Sequence, residues 1–292
     1  MPESCLQVML ACASMFVVLK EGQKNLDPFV YSSLRFVIAA IFFGPFWSRA
    51  FHDERLVRAG LEIGIWAAGG YLTQSIGMVT AEASRGAFLS AFTVVVVPIL
   101  GRFFGTSKLK TLTWLSVALA LLGAMLLEDG GGSASWGDFW SFASAILFGI
   151  QIFRTEHWSK LCNPKDALPM MSIALLMIAS VSIFGMVLTF PSQSLQILQQ
   201  PRVWQSIIVQ SSLPWPSIIY SGLVVTDLGL WAEVIALQHV SSTEAAIIYT
   251  LEPVCGAAFA FFLLGESWNI LGWVGAVLIV ISSVGIQIYG AE

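Results

Sequence analysis

Residues 84–104 read SRGAFLSAFTVVVVPILGRFF, and residues 243–263 read TEAAIIYTLEPVCGAAFAFFL. Each matches the length of apolar chain needed to cross a bilayer as a helix, about 20 residues. Sliding the sequence on itself by 159 residues lays the first stretch on the second without a gap, so that Ser84 meets Thr243 and Ala87 meets Ala246. The same register aligns Gly70 with Gly229, Trp114 with Trp273 and Leu119 with Leu278. Three successive apolar stretches of the first half thus fall on three of the second.

Working outward, apolar runs between charged or Pro/Gly-rich breaks predict spans near Leu6 to Leu19, Phe29 to Trp47, Ala59 to Val79, Ser84 to Phe104 and Leu112 to Leu127. The second half predicts spans near Trp136 to Phe153, Leu168 to Phe190, Ser217 to Leu237, Glu244 to Leu264 and Ile270 to Tyr289. The expectation is an all-α integral membrane protein of ten transmembrane helices in two inverted five-helix repeats, residues 1–130 and 131–292. Glu128-Asp129-Gly130-Gly131-Gly132-Ser133 is a flexible acidic turn suited to the boundary. An odd number of spans per half inserts the second copy upside down, an architecture in which carriers hold substrate at the repeat interface near the midplane.

Composition agrees. Of 292 residues 57% are hydrophobic and only 11% charged, against about 25% in soluble domains. A net charge of -4 offers no basic surface for a nucleic-acid backbone. Cys5, Cys12, Cys162 and Cys255 form no disulfide framework or metal-binding spacing. Met1-Pro2-Glu3 lacks the positive start of a signal peptide, so the first apolar run is expected to be a span. Arg49, Arg55, Arg58, Arg102, Lys108, Lys110, Arg154, Lys160 and Lys165 fall in loops of one side, against Lys20, Lys24, Arg85 and Arg202 on the other. Because basic loops stay cytoplasmic, both termini are expected on the cytoplasmic side. The connection Pro191 to Pro216 places Val203, Trp204, Ile207 and Ile208 on one helical side, which fits either an interfacial lid or a surface loop with one amphipathic turn.

Charged groups inside spans are expensive unless they face a cavity or a partner, so function is sought there. Asp227, Glu233, Glu252, Arg35 and Glu62 are such groups, and Lys20 ends the first span. The 159-residue register pairs Gln74 with Glu233, placing a polar residue at the same depth of two equivalent helices. Tyr71, one turn before Gln74, matches Leu230, so one wall of a shared cavity would be polar-aromatic and the other acidic-aliphatic. The alternative is that Gln74 and Glu233 only bond to neighbouring helices as packing glue. Glu252 precedes Pro253, which weakens the helix; it serves either a broken helix or proton exchange. Arg35 is either a counter-charge for a buried carboxylate or a contact for an anionic substrate group. Asp227 and Glu233 lie about 240 degrees apart around a helix, too far round for one paired site, and Asp227 is expected near the membrane surface. Gly60/Gly64 and Gly101/Gly105 have the GxxxG spacing that permits close helix contact. Enzyme motifs such as HExxH, GxSxG and GKS/T are missing, and His52, His157 and His239 are scattered, so neither catalysis nor a metal site is expected.

Ala13-Ser14-Met15-Phe16-Val17-Val18-Leu19-Lys20, Asp27-Pro28-Phe29 and Leu34-Arg35-Phe36 resemble the opening of EamA-type members of the drug/metabolite transporter superfamily. Ser242-Thr243-Glu244-Ala245-Ala246-Ile247-Ile248, Leu251-Glu252-Pro253-Val254 and Leu264-Gly265-Glu266 are similar to that family's last two helices. Tyr71-Leu72-Thr73-Gln74, Phe92-Thr93-Val94-Val95-Val96-Val97-Pro98 and Arg154-Thr155-Glu156-His157 look most like plastid and cyanobacterial relatives. The resemblance implies a ten-helix inverted-repeat carrier that moves small metabolites by alternating access, in a plastid or plasma membrane. Phe92-Thr93-Val94 replaces Leu-Glu-Pro in the first copy and Gly105-Thr106 replaces Gly-Glu, so Glu252 has no acidic twin. Sugar phosphates are disfavoured, since only Arg35 and Lys20 could hold a phosphate in the cavity.

The expected function is therefore transport of a small polar or amphipathic organic metabolite, amino acid-like or otherwise. Gln74, Glu233, Tyr71 and Trp231 would bind it, with Glu252, Arg35 and Lys20 as charge partners or coupling groups, and no cofactor is expected. Partners are the substrate, the lipid bilayer and, as an open option, a second copy in a homodimer. The rival reading is a passive channel or a scaffold subunit without transport of its own.

Overall fold

The computed structural model describes residues 13–15, 18–19, 22–23, 26–80, 89–104, 111–127, 135–189, 213–249, 251–252, 254–255 and 270–289. Every regular element among them is helical. Lys20, Pro253, most of the first span and the connection between Phe190 and Ser212 lie outside the described residues.

Helix α1 is Pro28–Phe42, started by Asp27, whose Oδ1 accepts from the Phe29 N–H at 2.8 Å with Pro28 in the first turn. It bends by 53° into the pair Gly44–Phe51. Helix α2 is Glu54–Thr80, α3 Thr93–Phe103, α4 Thr111–Leu127, α5 Trp136–Leu161 and α6 Ala167–Thr189. Helix α7 runs Trp215–Ala236, α8 Ser242–Tyr249 and α9 Ile270–Tyr289. Among the described residues, Pro164–Thr189 and Trp215–Ala236 are by themselves long and apolar enough to cross a membrane, and the bent pair at Pro28–Phe51 adds a third if taken as one span.

Polar side chains close the helix ends. Ser135 and Asp138 form a reciprocal capping box at the start of α5, with contacts of 3.2 and 2.6 Å. Ser241 and Glu244 do the same for α8, at 3.2 and 2.8 Å. A further α8 amide, that of Ser242, donates to Glu156 Oε2 of α5 at 2.9 Å.

Small residues set the helix crossings. Lipid tails are as apolar as side chains, so association within a bilayer relies on close packing rather than on removal from water. The largest core cluster is built accordingly from Ala39 and Ala40 of α1, Ala59, Ala67 and Ala68 of α2, and Ala174 and Ala179 of α6, around Phe36, Met170, Leu175 and Ile178. Gly60 and Gly64 let α2 lie directly on α6: a Cβ at Gly60 would come within 2.6 Å of the Met170 carbonyl oxygen, and one at Gly64 within 2.8 Å of the Ala174 carbonyl oxygen. This GxxxG pair is therefore used inside the chain. Gly222 of α7 meets the Arg35 carbonyl oxygen of α1 at the same 2.8 Å. In a third crossing, α4 on α9, a Cβ at Gly123 would reach the Gly275 carbonyl oxygen at 2.7 Å, and Ser282 donates to the Ser116 carbonyl at 2.7 Å.

Helix α7 is not uniformly α-helical. Between Tyr220 and Leu228 it is a π-helix, whose wider turns each take an extra residue relative to α. Asp227 sits within it, 1% exposed in mid-helix. The carboxyl is enclosed by the protein, and neither oxygen has a hydrogen-bond partner among the described residues.

Candidate functional site

A cavity of about 130 Å³ lies where α2, α5, α7 and α8 converge with the turn before α3. Helix α2 contributes Tyr71 and Gln74; residues 90–93 contribute Ser90, Ala91 and Thr93; α5 contributes Phe148, Gln151 and Ile152. Val225, Gly229, Leu230 and Glu233 come from α7, Ala246 and Tyr249 from α8, and Glu252 and Met15 complete the wall. At about 30 Å³ per water in the liquid the space holds on the order of four waters, and a cavity of about 150 Å³ takes a benzene ring. That is the size of a small metabolite.

The lining falls into pairs. Tyr71 and Leu230, Gln74 and Glu233, Ser90 and Tyr249, and Thr93 and Glu252 are each 159 residues apart, and both members of each pair face the cavity. The pairs differ in charge: Gln74 and Thr93 are neutral where Glu233 and Glu252 are acidic. Both carboxyl groups thus belong to the α7 and α8 side.

Gln151 fixes one of them. Its Nε2 donates to Glu233 Oε1 at 2.6 Å and to Thr155 Oγ1 at 2.9 Å, while the Thr155 hydroxyl donates to the Gln151 carbonyl at 2.8 Å. A donor already tied to its own helix presents the amide to Glu233 with little freedom left to lose. Tyr71 is held by rings on two sides, Phe36 at 5.0 Å and Phe148 edge-on at 4.9 Å. Gly70 leaves the room that the Phe148 ring occupies, 2.9 Å from where a Cβ would stand.

Of the residues expected to form the site, Gln74, Glu233, Tyr71 and Glu252 meet at the cavity. Trp231 does not; it is 41% exposed on the outside of α7. Arg35 is fully buried but sits one layer back, its guanidinium 4.2 Å over the Phe36 ring and 5.0 Å over the Tyr71 ring. Its Nη1 donates to Met15 Sδ at 3.4 Å, and Nε and Nη2 have no hydrogen-bond partner among the described residues. It pairs with no carboxylate there. Lys20 lies outside the described residues. Glu62 is elsewhere again, ion-paired with Arg154 and accepting from Trp158 Nε1 at 2.8 Å.

Gln151, Phe148, Ser90, Thr93 and Tyr249 line the cavity without having been singled out from sequence. For Thr93 a signal existed, since the same register that pairs Gln74 with Glu233 pairs Thr93 with Glu252. Gln151 had only its polarity within an apolar run.

The sequence profile of the EamA-like transporter family matches residues 4–128 and again 135–288. A protein of Archaeoglobus fulgidus described as an uncharacterized transporter is 26% identical over 94% of this chain and 82% of its own length. A Salmonella typhimurium protein named "Probable amino-acid metabolite efflux pump" is 26% identical over 94% of this chain and 90% of its own. A solved crystal structure superposes with a TM-score of 0.69 over 98% of this chain and 95% of that one, at 12% identity, a likeness of fold.

Proposed function

From the premise that the chain belongs to the EamA-like transporter family, an integral membrane family of transporters rather than enzymes, we propose a secondary carrier that moves a small organic metabolite by alternating access through the cavity described above. The observation that carries this reading is the paired lining: four pairs of residues at one fixed offset face a single space. An interface between two inverted copies places equivalent residues around one site in this way.

The helix crossings support two inverted repeats, residues 1–130 and 131–292. Under the 159-residue register Ser116 corresponds to Gly275 and Gly123 to Ser282, so the Ser116–Ser282 and Gly123–Gly275 contacts exchange with each other, as contacts across a pseudo-two-fold axis must. The separate matches of the family profile to two segments agree. Both termini lie on the cytoplasmic side of a plastid or plasma membrane in this reading. An amino acid-like or other amphipathic solute suits a cavity with apolar walls and a few fixed polar groups, and the Salmonella relative is named for amino-acid metabolites.

The test is a thermal-shift screen of the purified protein against amino acids, amines, nucleobases, organic acids and sugar phosphates, since a ligand of the native state raises its stability. The account expects a stabilising solute whose effect is lost in Glu233→Gln and weakened in Gln74→Ala. Stabilisation untouched by either substitution would remove the site from this cavity, and no stabilisation by any solute would favour a scaffold subunit.

A further inference from the structure

We propose that the cavity takes a small organic cation, a protonated amine set between the Glu233 and Glu252 carboxylates with its uncharged body against the Tyr71 and Phe148 rings. The proposal rests on the carrier reading and narrows it to a class of substrate. Three observations on the cavity lead to it.

The first is the distribution of charge. Two carboxyl groups line the space, both on the α7 and α8 side, while their mates Gln74 and Thr93 are neutral hydrogen-bonding groups. Among the described residues no Lys, Arg or His lines it. The Arg35 guanidinium stands behind the lining, over the Phe36 and Tyr71 rings, and is not itself part of it. A ligand carboxylate or phosphate would enter past two acids and find no cation to fork against. A ligand ammonium meets two, and relieves the penalty of holding carboxylates away from water.

Preorganisation is the second. Gln151 donates to Glu233 Oε1 at 2.6 Å, and Oε2 has no hydrogen bond among the described residues. One oxygen is anchored and the other is available to an incoming donor, in an orientation already set. The third is the aromatic part of the lining, where Tyr71 and Phe148 stand edge to face at 4.9 Å. Aromatic surface next to acids favours an amine with an apolar or aromatic body, by contact area and by cation–π attraction. A cavity of about 150 Å³ takes a benzene ring, so the enclosed part of such a ligand has about six non-hydrogen atoms.

The experiment is isothermal titration of the purified full-length chain with three probes of similar size and shape: leucinamide, a cation; leucine, a zwitterion; and 4-methylpentanoate, an anion. The expected result is that leucinamide binds at least roughly tenfold tighter than leucine, that 4-methylpentanoate gives no binding, and that Glu233→Gln and Glu252→Gln each weaken leucinamide by roughly tenfold or more. Leucine or 4-methylpentanoate binding as tightly as leucinamide overturns the proposal, as does absence of leucinamide binding; the probe series on the unsubstituted chain decides this even if a variant fails to fold. Counterflow in vesicles separates the two readings. Leucinamide that binds but is never exchanged contradicts the carrier and leaves the cation preference standing, whereas leucine exchanged in preference to leucinamide does the reverse.

Discussion

Gln151 holds a central place in the cavity because its amide is shared between a helix-bound threonine and the Glu233 carboxylate. A hydrogen bond to a charged group contributes about 1.5–3 kcal/mol, so Gln151→Leu is expected to weaken ligand binding by roughly tenfold or more while Thr155→Val, which removes only the tether, has a smaller effect; titration calorimetry on both variants checks the order. Gly64 makes a purely structural prediction. A side chain there collides with the Ala174 carbonyl, so Gly64→Leu should lower stability by at least about 1–3 kcal/mol, read as a fall in Tm, whereas Gly44, with open space around it, should tolerate Ala. The charged residues were legible in the sequence because a carboxylate within an apolar run is costly and therefore conspicuous. Gln151, Ser90 and Tyr249 were not, since a single neutral polar residue in a span serves packing as readily as binding. Trp231 shows the converse: it was expected in the site, yet it stands two residues before Glu233 and so points about 200 degrees away from it around the helix.

Among the elements, α7 departs furthest from what periodicity gives. Gly70 and Gly229 are 159 residues apart, but the glycines at the matching crossings, Gly64 on Ala174 and Gly222 on Arg35, are 158 apart. On the proposed repeat, α7 carries one extra residue between these two points, within the stretch where the helix is π from Tyr220 to Leu228. The wider turns absorb the added residue, so Gly222 keeps its crossing while Leu230 and Glu233 keep their places at the cavity. Deleting one residue from this stretch, Val224 for instance, should restore α geometry but rotate one end out of register, abolishing ligand binding and lowering Tm; a deletion that leaves both unchanged would refute the explanation. No hydrophobic pattern announces such an insertion, which is why a simple α-helix was the expectation. The last turns of α5 also link elements far apart in sequence: Arg154 and Trp158 reach Glu62 of α2, and Glu156 caps α8. Arg154 and Glu62 are each about a third exposed, 29% and 32%, so solvent limits the pair to about 1 kcal/mol or less, and Arg154→Gln is expected to cost little stability by Tm.

At the scale of the whole molecule, the helical class was legible from the length of the apolar runs, and membrane character from composition, because 11% charged residues cannot cover a soluble surface. The fixed offset between the halves carried further than any single motif, since it relates residues by position regardless of their type. Orientation is testable at Cys162, in the turn before α6, where burial and the neighbouring Asp166 and Asp53 carboxylates push the thiol above its ordinary value. Less thiolate is then present at neutral pH, so Cys162 should react slowly with maleimide there and faster as the pH rises; under alkaline conditions an impermeant maleimide should reach it only from the cytoplasmic side, as mass spectrometry of the labelled peptide would show. The central claim, that one cavity exchanges solute alternately with the two sides, is tested most directly by counterflow in proteoliposomes. Vesicles preloaded with an unlabelled stabilising solute should take up the labelled solute faster than empty vesicles and transiently above equilibrium, and Glu233→Gln should abolish the effect. Uptake indifferent to preloading, or absent altogether, would contradict the account.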